Sequence, residues 1–162
     1  RLRLNRRGEF GVDISPLLTL ADGGPVTVGL SSSRVDPADE LLYHKTTSRE
    51  FYDSEFRKGK KKGLDETLLV NKEGHITEGT FTSLFINYGS GWITPALSCG
   101  LLPGIWREKY MAETGASEGY IDLEDLKAAE RVVIGNSVRG AIEVDTVLNE
   151  DGEVVFKRTR GS

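Results

Sequence analysis

One cysteine, two histidines and no long apolar run set the first limits on this 162-residue chain. The lone Cys99 excludes an internal disulfide framework and fits a reducing, cytoplasmic compartment. His44 and His75 have no cysteine or further histidine at ligand spacing, so no metal site is expected and both read as structural. No stretch approaches the roughly 18 apolar residues of a membrane helix, and the opening RLRLNRRGEF lacks the apolar core of a signal peptide. No membrane partner is therefore expected. The glycine-rich phosphate loops GxGxxG and GxxxxGK[ST] are missing, as are internal repeats and low-complexity stretches. Charge of one sign is missing too: 21 basic against 25 acidic side chains leave −4, too mild to argue for nucleic acid. The one basic cluster, RKGKKKG at 57–63, has no interleaved aromatics and reads as a solvated helix end.

The length suits one hydrophobic core. Residues 2–4 and 10–14 alternate around Arg6–Gly8 as a hairpin, and Asp22-Gly23-Gly24-Pro25 is a turn leading into a strand at 26–30. Residues 31–40 read as polar loop, 41–44 as a short strand and 47–57 as a helix stopped by Gly59. Strands follow at 66–70 and 74–77 across the turn Asn71–Gly74, with β pattern continuing over 80–87 and at 92–94. Helices are predicted at 104–113 and, behind an Asp122 cap, at 123–130. The close is β again at 131–134, 141–148 and 153–157, with a turn at Asn149–Gly152. Many strands and only three helices predict an α/β domain with a curled, barrel-like mixed sheet, not a doubly wound one.

Four segments carry candidate chemistry. Lys45 stands in LLYHKTTSRE, between an apolar run and a helix start, where an amine on a rigid element suits Schiff-base work; most lysines are simply solvated. Glu78 follows in GHITEGTFTSLF, beside a glycine that permits close backbone approach, although a strand-edge glutamate is usually surface charge. Pro103-Gly104 opens a helix whose free N–H groups favour an anion, or simply caps it. Ser137, in VVIGNSVRG, offers a hydroxyl and an amide.

Taken together, HKTTSREFYD (44–53), DETLLVNKEGHITEGTFTSLF (65–85), WITPALSCGLLPGIWR (92–107) and GNSVRG (135–140) resemble the pyridoxal-phosphate enzymes of aminotransferase class IV. Order and spacing both agree, from about Leu41 to Thr146, and the wording is nearest to the aminodeoxychorismate lyase branch. The resemblance implies the large cofactor-binding domain of that fold, a pseudo-barrel with few helices, with pyridoxal 5′-phosphate as cofactor. It implies Lys45 as the Schiff-base lysine and proton carrier at Cα, and Glu78, thirty-three positions on, against the ring nitrogen. By the same resemblance Ile105 and Trp106 give backbone N–H groups to the phosphate, Ser137 joins them, and Leu102 packs on the ring. Some members have threonine at position 106; tryptophan offers no such hydroxyl, so that part of the seat relies on main chain. Arg49 and Arg139 are substrate-side candidates, each with an alternative as a helix-orienting group or a surface ion pair.

The implied reaction is conversion of 4-amino-4-deoxychorismate to 4-aminobenzoate and pyruvate. The alternatives are a class IV aminotransferase of branched-chain or D-amino acid type, which uses the same lysine and glutamate, and a truncated, inactive or structural remnant. A small-molecule amino substrate, a homodimer, and fusion or association with a para-aminobenzoate synthase component complete the expected partners. Members of the family carry a smaller N-terminal domain that sends an arginine to the cofactor phosphate. Residues 1–40 read as opening strands and loop left from, or linking to, that domain, and 41–162 as the cofactor domain. An incomplete catalyst is the corresponding expectation.

Overall fold

A computed structural model describes residues 2–14, 16–17, 20 and 23–159. The chain opens with a hairpin of β1 (Leu2–Leu4) and β2 (Phe10–Val12), paired Leu2 with Val12 and Leu4 with Phe10. The Asn5 side chain ties its turn by accepting from the amides of Arg7 and Glu9. The same device returns at Asn71, which accepts from Glu73 and His75, and at Asn149, which accepts from Asp151 and Glu153. Each turn has its glycine three residues after the asparagine, at φ of +81°, +90° and +86° for Gly8, Gly74 and Gly152. Of the expected turn at 22–25, Asp22 lies outside the described residues.

The body is built on two five-stranded sheets. One runs β10 (Gly140–Glu143), β9 (Arg131–Asn136), β6 (Ser83–Asn87), β7 (Trp92–Pro95) and β8 (Ser117–Gly119). The other runs β12 (Val154–Lys157), β11 (Thr146–Leu148), β3 (Thr27–Val35), β4 (Glu66–Asn71) and β5 (Ile76–Gly79). Both are mixed, with β7–β8, β11–β3 and β3–β4 parallel. Neither closes on itself: β10 and β8 end one sheet, β12 and β5 the other. The expected curled sheet or pseudo-barrel is therefore corrected to two open sheets. Pattern alone made 80–87 continue the preceding strand, but Thr80-Phe81-Thr82 form a tight corner that carries the chain from β5 in one sheet to β6 in the other. The Gly79 amide closes that corner on the Thr82 carbonyl at 2.7 Å.

Alternate residues of both sheets face a common core: Val28, Leu68 and Val70 from one, Leu84, Val132 and Ile134 from the other, all buried. Leu126 of helix α3 (Leu123–Ala128) joins them, the helix starting at a full capping box of Asp122 and Asp125. The outer faces are covered by helices. Helix α1 (Glu50–Lys61) packs on β4, where Gly59 lets it approach so closely that an added Cβ would sit 2.2 Å from Thr67 Oγ1. That glycine stays inside the helix rather than stopping it, because its role is packing. Helix α2 (Ile105–Thr114) lies over the other sheet through Phe85, Trp106 and Tyr110, with ring centroids 4.8–5.7 Å apart.

Two further expectations change. Residues 40–43 form a 3-10 turn, not a strand: Asp39 caps it by accepting from the Leu41 amide, and only Leu42 is buried. The polar stretch 31–35 extends β3, because Ser31 and Ser33 donate their hydroxyls to the buried Glu55 carboxylate of α1. Among the described residues no helix is long and apolar enough to cross a membrane, and no His/Cys/Asp/Glu cluster suits a metal ion.

Candidate functional site

Glu78 is the third of the four residues of β5, just before the corner, and it is buried with 5% of its surface exposed. Both its hydrogen bonds fall on one oxygen: Oε1 accepts from the Tyr52 hydroxyl at 2.9 Å and from the Leu102 amide at 3.3 Å. Oε2 receives no hydrogen bond from the described residues. Burial, opposed by the Tyr52 and Leu102 hydrogen bonds, pushes the carboxyl up to about 8. Such a group is a poor lone anion and a ready partner for a bound cation.

Behind it stands a second buried carboxylate. Glu66 opens β4 and accepts from the amides of Thr67, Thr80 and Phe81 and from the hydroxyls of Thr80 and Thr82, at 2.6–3.2 Å. Burial raises its proton affinity and outweighs the Thr80 and Thr82 hydroxyls and the Thr67 and Phe81 amides, which lower it. The arrangement locks the corner that follows Glu78.

Helix α2 contributes its start. Its N-cap is Gly104, with no side chain to accept from the first-turn amides, so the N–H groups of Ile105 and Trp106 point out of the helix end without intrahelical partners. The Trp106 ring is turned away from that end, stacked on Tyr110 at 4.8 Å and edge-on to Phe85. Gly135 makes room for it: a Cβ there would lie 2.3 Å from the indole. Position 106 therefore offers only main chain to a ligand at the helix start. Ser137 is exposed in the turn after β9, and its neighbour Asn136 fixes that turn by donating to the Phe81 carbonyl and accepting from the amides of Val138 and Arg139.

Lys45 is exposed between the 3-10 turn and α1, and its amine makes no hydrogen bond or ion pair with the described residues. Arg49, just before α1, donates to the Thr80 carbonyl, stands 3.8 Å from Asp53 and lies over the Tyr52 ring at 4.9 Å. Arg139 lies over the Phe81 ring at 5.0 Å. Leu102 is half-buried and tied to Glu78, so the loop before α2 and the end of β5 meet directly.

Two residues escaped the sequence reading, Tyr52 and Glu66. Glu66 had a signal in the sequence, a charge opening the apolar strand ETLLVN, which needs partners if buried. Tyr52 lies three residues after Arg49, on the same face of the coming helix.

A family model described as amino-transferase class IV matches residues 12–147, most of the chain. The chain belongs to the amino-transferase class IV family. A relative from Schizosaccharomyces pombe, described as "Putative aminodeoxychorismate lyase", is 31% identical over 154 residues, covering 86% of this chain and 62% of its own. The chain thus spans under two thirds of that relative's length. A crystal structure described as "Putative amino-acid aminotransferase" from Mesorhizobium loti superposes with a TM-score of 0.82 at 36% identity, covering 91% of this chain and 71% of its own. A branched-chain amino acid aminotransferase from Thermobaculum terrenum in its PLP form shares the fold at 19% identity and a TM-score of 0.71, over 82% of this chain and 46% of its own.

Proposed function

We propose that this chain performs pyridoxal-phosphate chemistry on an amine-bearing small molecule, and that the reaction is amino-group transfer. The observation that carries the reading is Glu78: a buried carboxyl with one oxygen held by two donors and the other without a hydrogen bond. Its surroundings fit a protonated pyridine nitrogen, which would supply the positive charge that burial otherwise denies it. Bound there, pyridoxal 5′-phosphate supplies an electron sink for charge developing at the substrate Cα.

The chain's own residues divide the work. Lys45 is the amine that carries the cofactor and moves the proton at Cα. Glu78 keeps the ring nitrogen protonated. The N–H groups of Ile105 and Trp106, with Ser137, hold the phosphate at the start of α2, and Leu102 lies against the ring. Arg49 and Arg139 remain substrate-side candidates, although Arg49 already braces Thr80 and Tyr52. A second copy of the chain as partner, a cytoplasmic setting, and the division into residues 1–40 and 41–162 belong to the same proposal.

Transfer is preferred because a solved structure 36% identical to this chain is described as a "Putative amino-acid aminotransferase". A second reading, lyase action on 4-amino-4-deoxychorismate, rests on the 31% identity to the fission-yeast protein and on the HKTTSR and NSVRG motifs. The test is a single assay on the full-length protein with pyridoxal phosphate. Transfer requires a keto-acid acceptor and stops without one. Release of pyruvate and 4-aminobenzoate from aminodeoxychorismate with no acceptor establishes the lyase instead.

A further inference from the structure

Tyr52 belongs to none of the roles above, yet it makes the shortest hydrogen bond to Glu78. It sits on the first turn of α1, so its hydroxyl joins that helix to the end of β5, while the Leu102 amide joins the loop before α2 to the same oxygen. The ring itself is fixed from several sides. Arg49 lies over it at 4.9 Å, Phe51 meets it edge-on at 6.0 Å, and it packs against the buried Val35, Leu42 and Leu69. A hydroxyl on so constrained a ring has one place to point.

We infer that Tyr52 is a positioning residue for Glu78: its hydroxyl holds Oε1, so that Oε2 is the oxygen left for the ring nitrogen. The inference rests on the proposed role of Glu78. The chemistry follows from the identity of the donor. Burial and the neighbouring Glu78 raise the Tyr52 hydroxyl far above its ordinary range, so it keeps its proton at working pH and only donates to the carboxylate. Without it Glu78 keeps the 3.3 Å bond to Leu102 alone, and its carboxyl is free to present either oxygen. The charged groups bearing on Glu78 are Arg49 beside α1, which favours its anion, and Glu66 on β4, which opposes it.

The test uses Tyr52→Phe, which removes the hydroxyl and keeps the ring. In cofactor-free protein, the carbonyl stretch of protonated Glu78, identified by its disappearance in Glu78→Gln, is followed against pH. The midpoint is expected to rise in Tyr52→Phe, because a donor to the anion has been lost. Affinity for pyridoxal phosphate, read by spectroscopic titration, is expected to fall about tenfold in the parent background. In the Glu78→Gln background the same substitution is expected to change it by less than about twofold, since the two side chains act as one unit. An unmoved Glu78 midpoint, or an equal loss of affinity in both backgrounds, overturns the inference. Failure of the underlying reading looks different: Glu78→Gln alone then binds cofactor and turns over like the parent, while the Glu78 titration still reports on Tyr52.

Discussion

Glu66 and Thr80 are bound twice through a single oxygen. Glu66 Oε1 accepts from the Thr80 amide at 3.0 Å and from its hydroxyl at 2.6 Å. The pair pins the corner between the two sheets to the first residue of β4, and so fixes the backbone two residues beyond Glu78. A carboxylate that organises a corner in this way contributes through the amides it satisfies, not through its charge alone.

Glu66→Gln is expected to destabilise the fold by about 1–3 kcal/mol, because its amide would set a donor against the Phe81 N–H and Thr82 hydroxyl that now bond Oε2. Glu66→Ala is expected to cost more, on the order of 3–5 kcal/mol, since the Thr67 and Phe81 amides and the Thr80 and Thr82 hydroxyls all lose the carboxylate they donate to. Urea unfolding of both variants checks this. A loss below about 0.5 kcal/mol in either would show the corner stands without Glu66.

For Glu78 the linkage to pH has a definite sign. A buried acid raised to about 8 keeps its proton in the folded state at pH values where the unfolded chain has released it. Folded protein then binds more protons than unfolded, so stability falls as pH rises from the ordinary carboxylate range toward 8 and levels off beyond. Glu78→Gln removes that dependence. In cofactor-free protein its Tm relative to the parent is expected to climb by about 5 °C between pH 5 and 8. A Tm difference that does not vary with pH would contradict the raised carboxyl.

Lys45 is accessible and unpaired among the described residues, as an amine that must meet an aldehyde has to be. Borohydride reduction of the full-length protein with pyridoxal phosphate, followed by peptide mapping, is expected to label Lys45. Lys45→Ala is expected to lose the label and at least about 100-fold in turnover. Label on another lysine would remove Lys45 from its proposed role.

Gly135 and Trp106 are a matched pair. Gly135→Ala would place a methyl 2.3 Å from the indole and 2.4 Å from the Gly140 carbonyl, and the backbone atom cannot move aside as a side chain can. A loss of about 2–4 kcal/mol is expected, with a change in tryptophan fluorescence as the indole shifts. Calorimetry and emission spectra together decide it; an unchanged melt and spectrum would mean the strand yields without cost.

Much of the frame was legible from local signals. Asn-x-x-Gly turns at 71–74 and 149–152, the Asp122 cap and the apolar run in ETLLVN depend on residues near in sequence, and those elements stand within a residue or two of where the pattern put them. The strand expected at 41–44 failed because Leu41 and Leu42 look alike in a string, whereas Asp39 caps a turn that buries only one of them. The curled single sheet failed for a larger reason. Thr80-Phe81-Thr82 have β-like composition, and nothing local says that a glutamate fourteen residues earlier will fold them into a corner.

By itself the sequence determined the family, through the order and spacing of four motifs, and it determined which residue types are available for chemistry: one lysine after His44, one glutamate before Gly79, a Pro-Gly helix start and a serine after Asn136. Only the tertiary structure decided that the two sheets stay open, that Glu78 is buried with a single oxygen engaged, and that Tyr52 and Leu102 converge on it from separate elements. The physical reason is range. Turn and cap chemistry acts over a few residues, while burial and the partners of a buried carboxyl are set by segments that become neighbours only when the chain has packed.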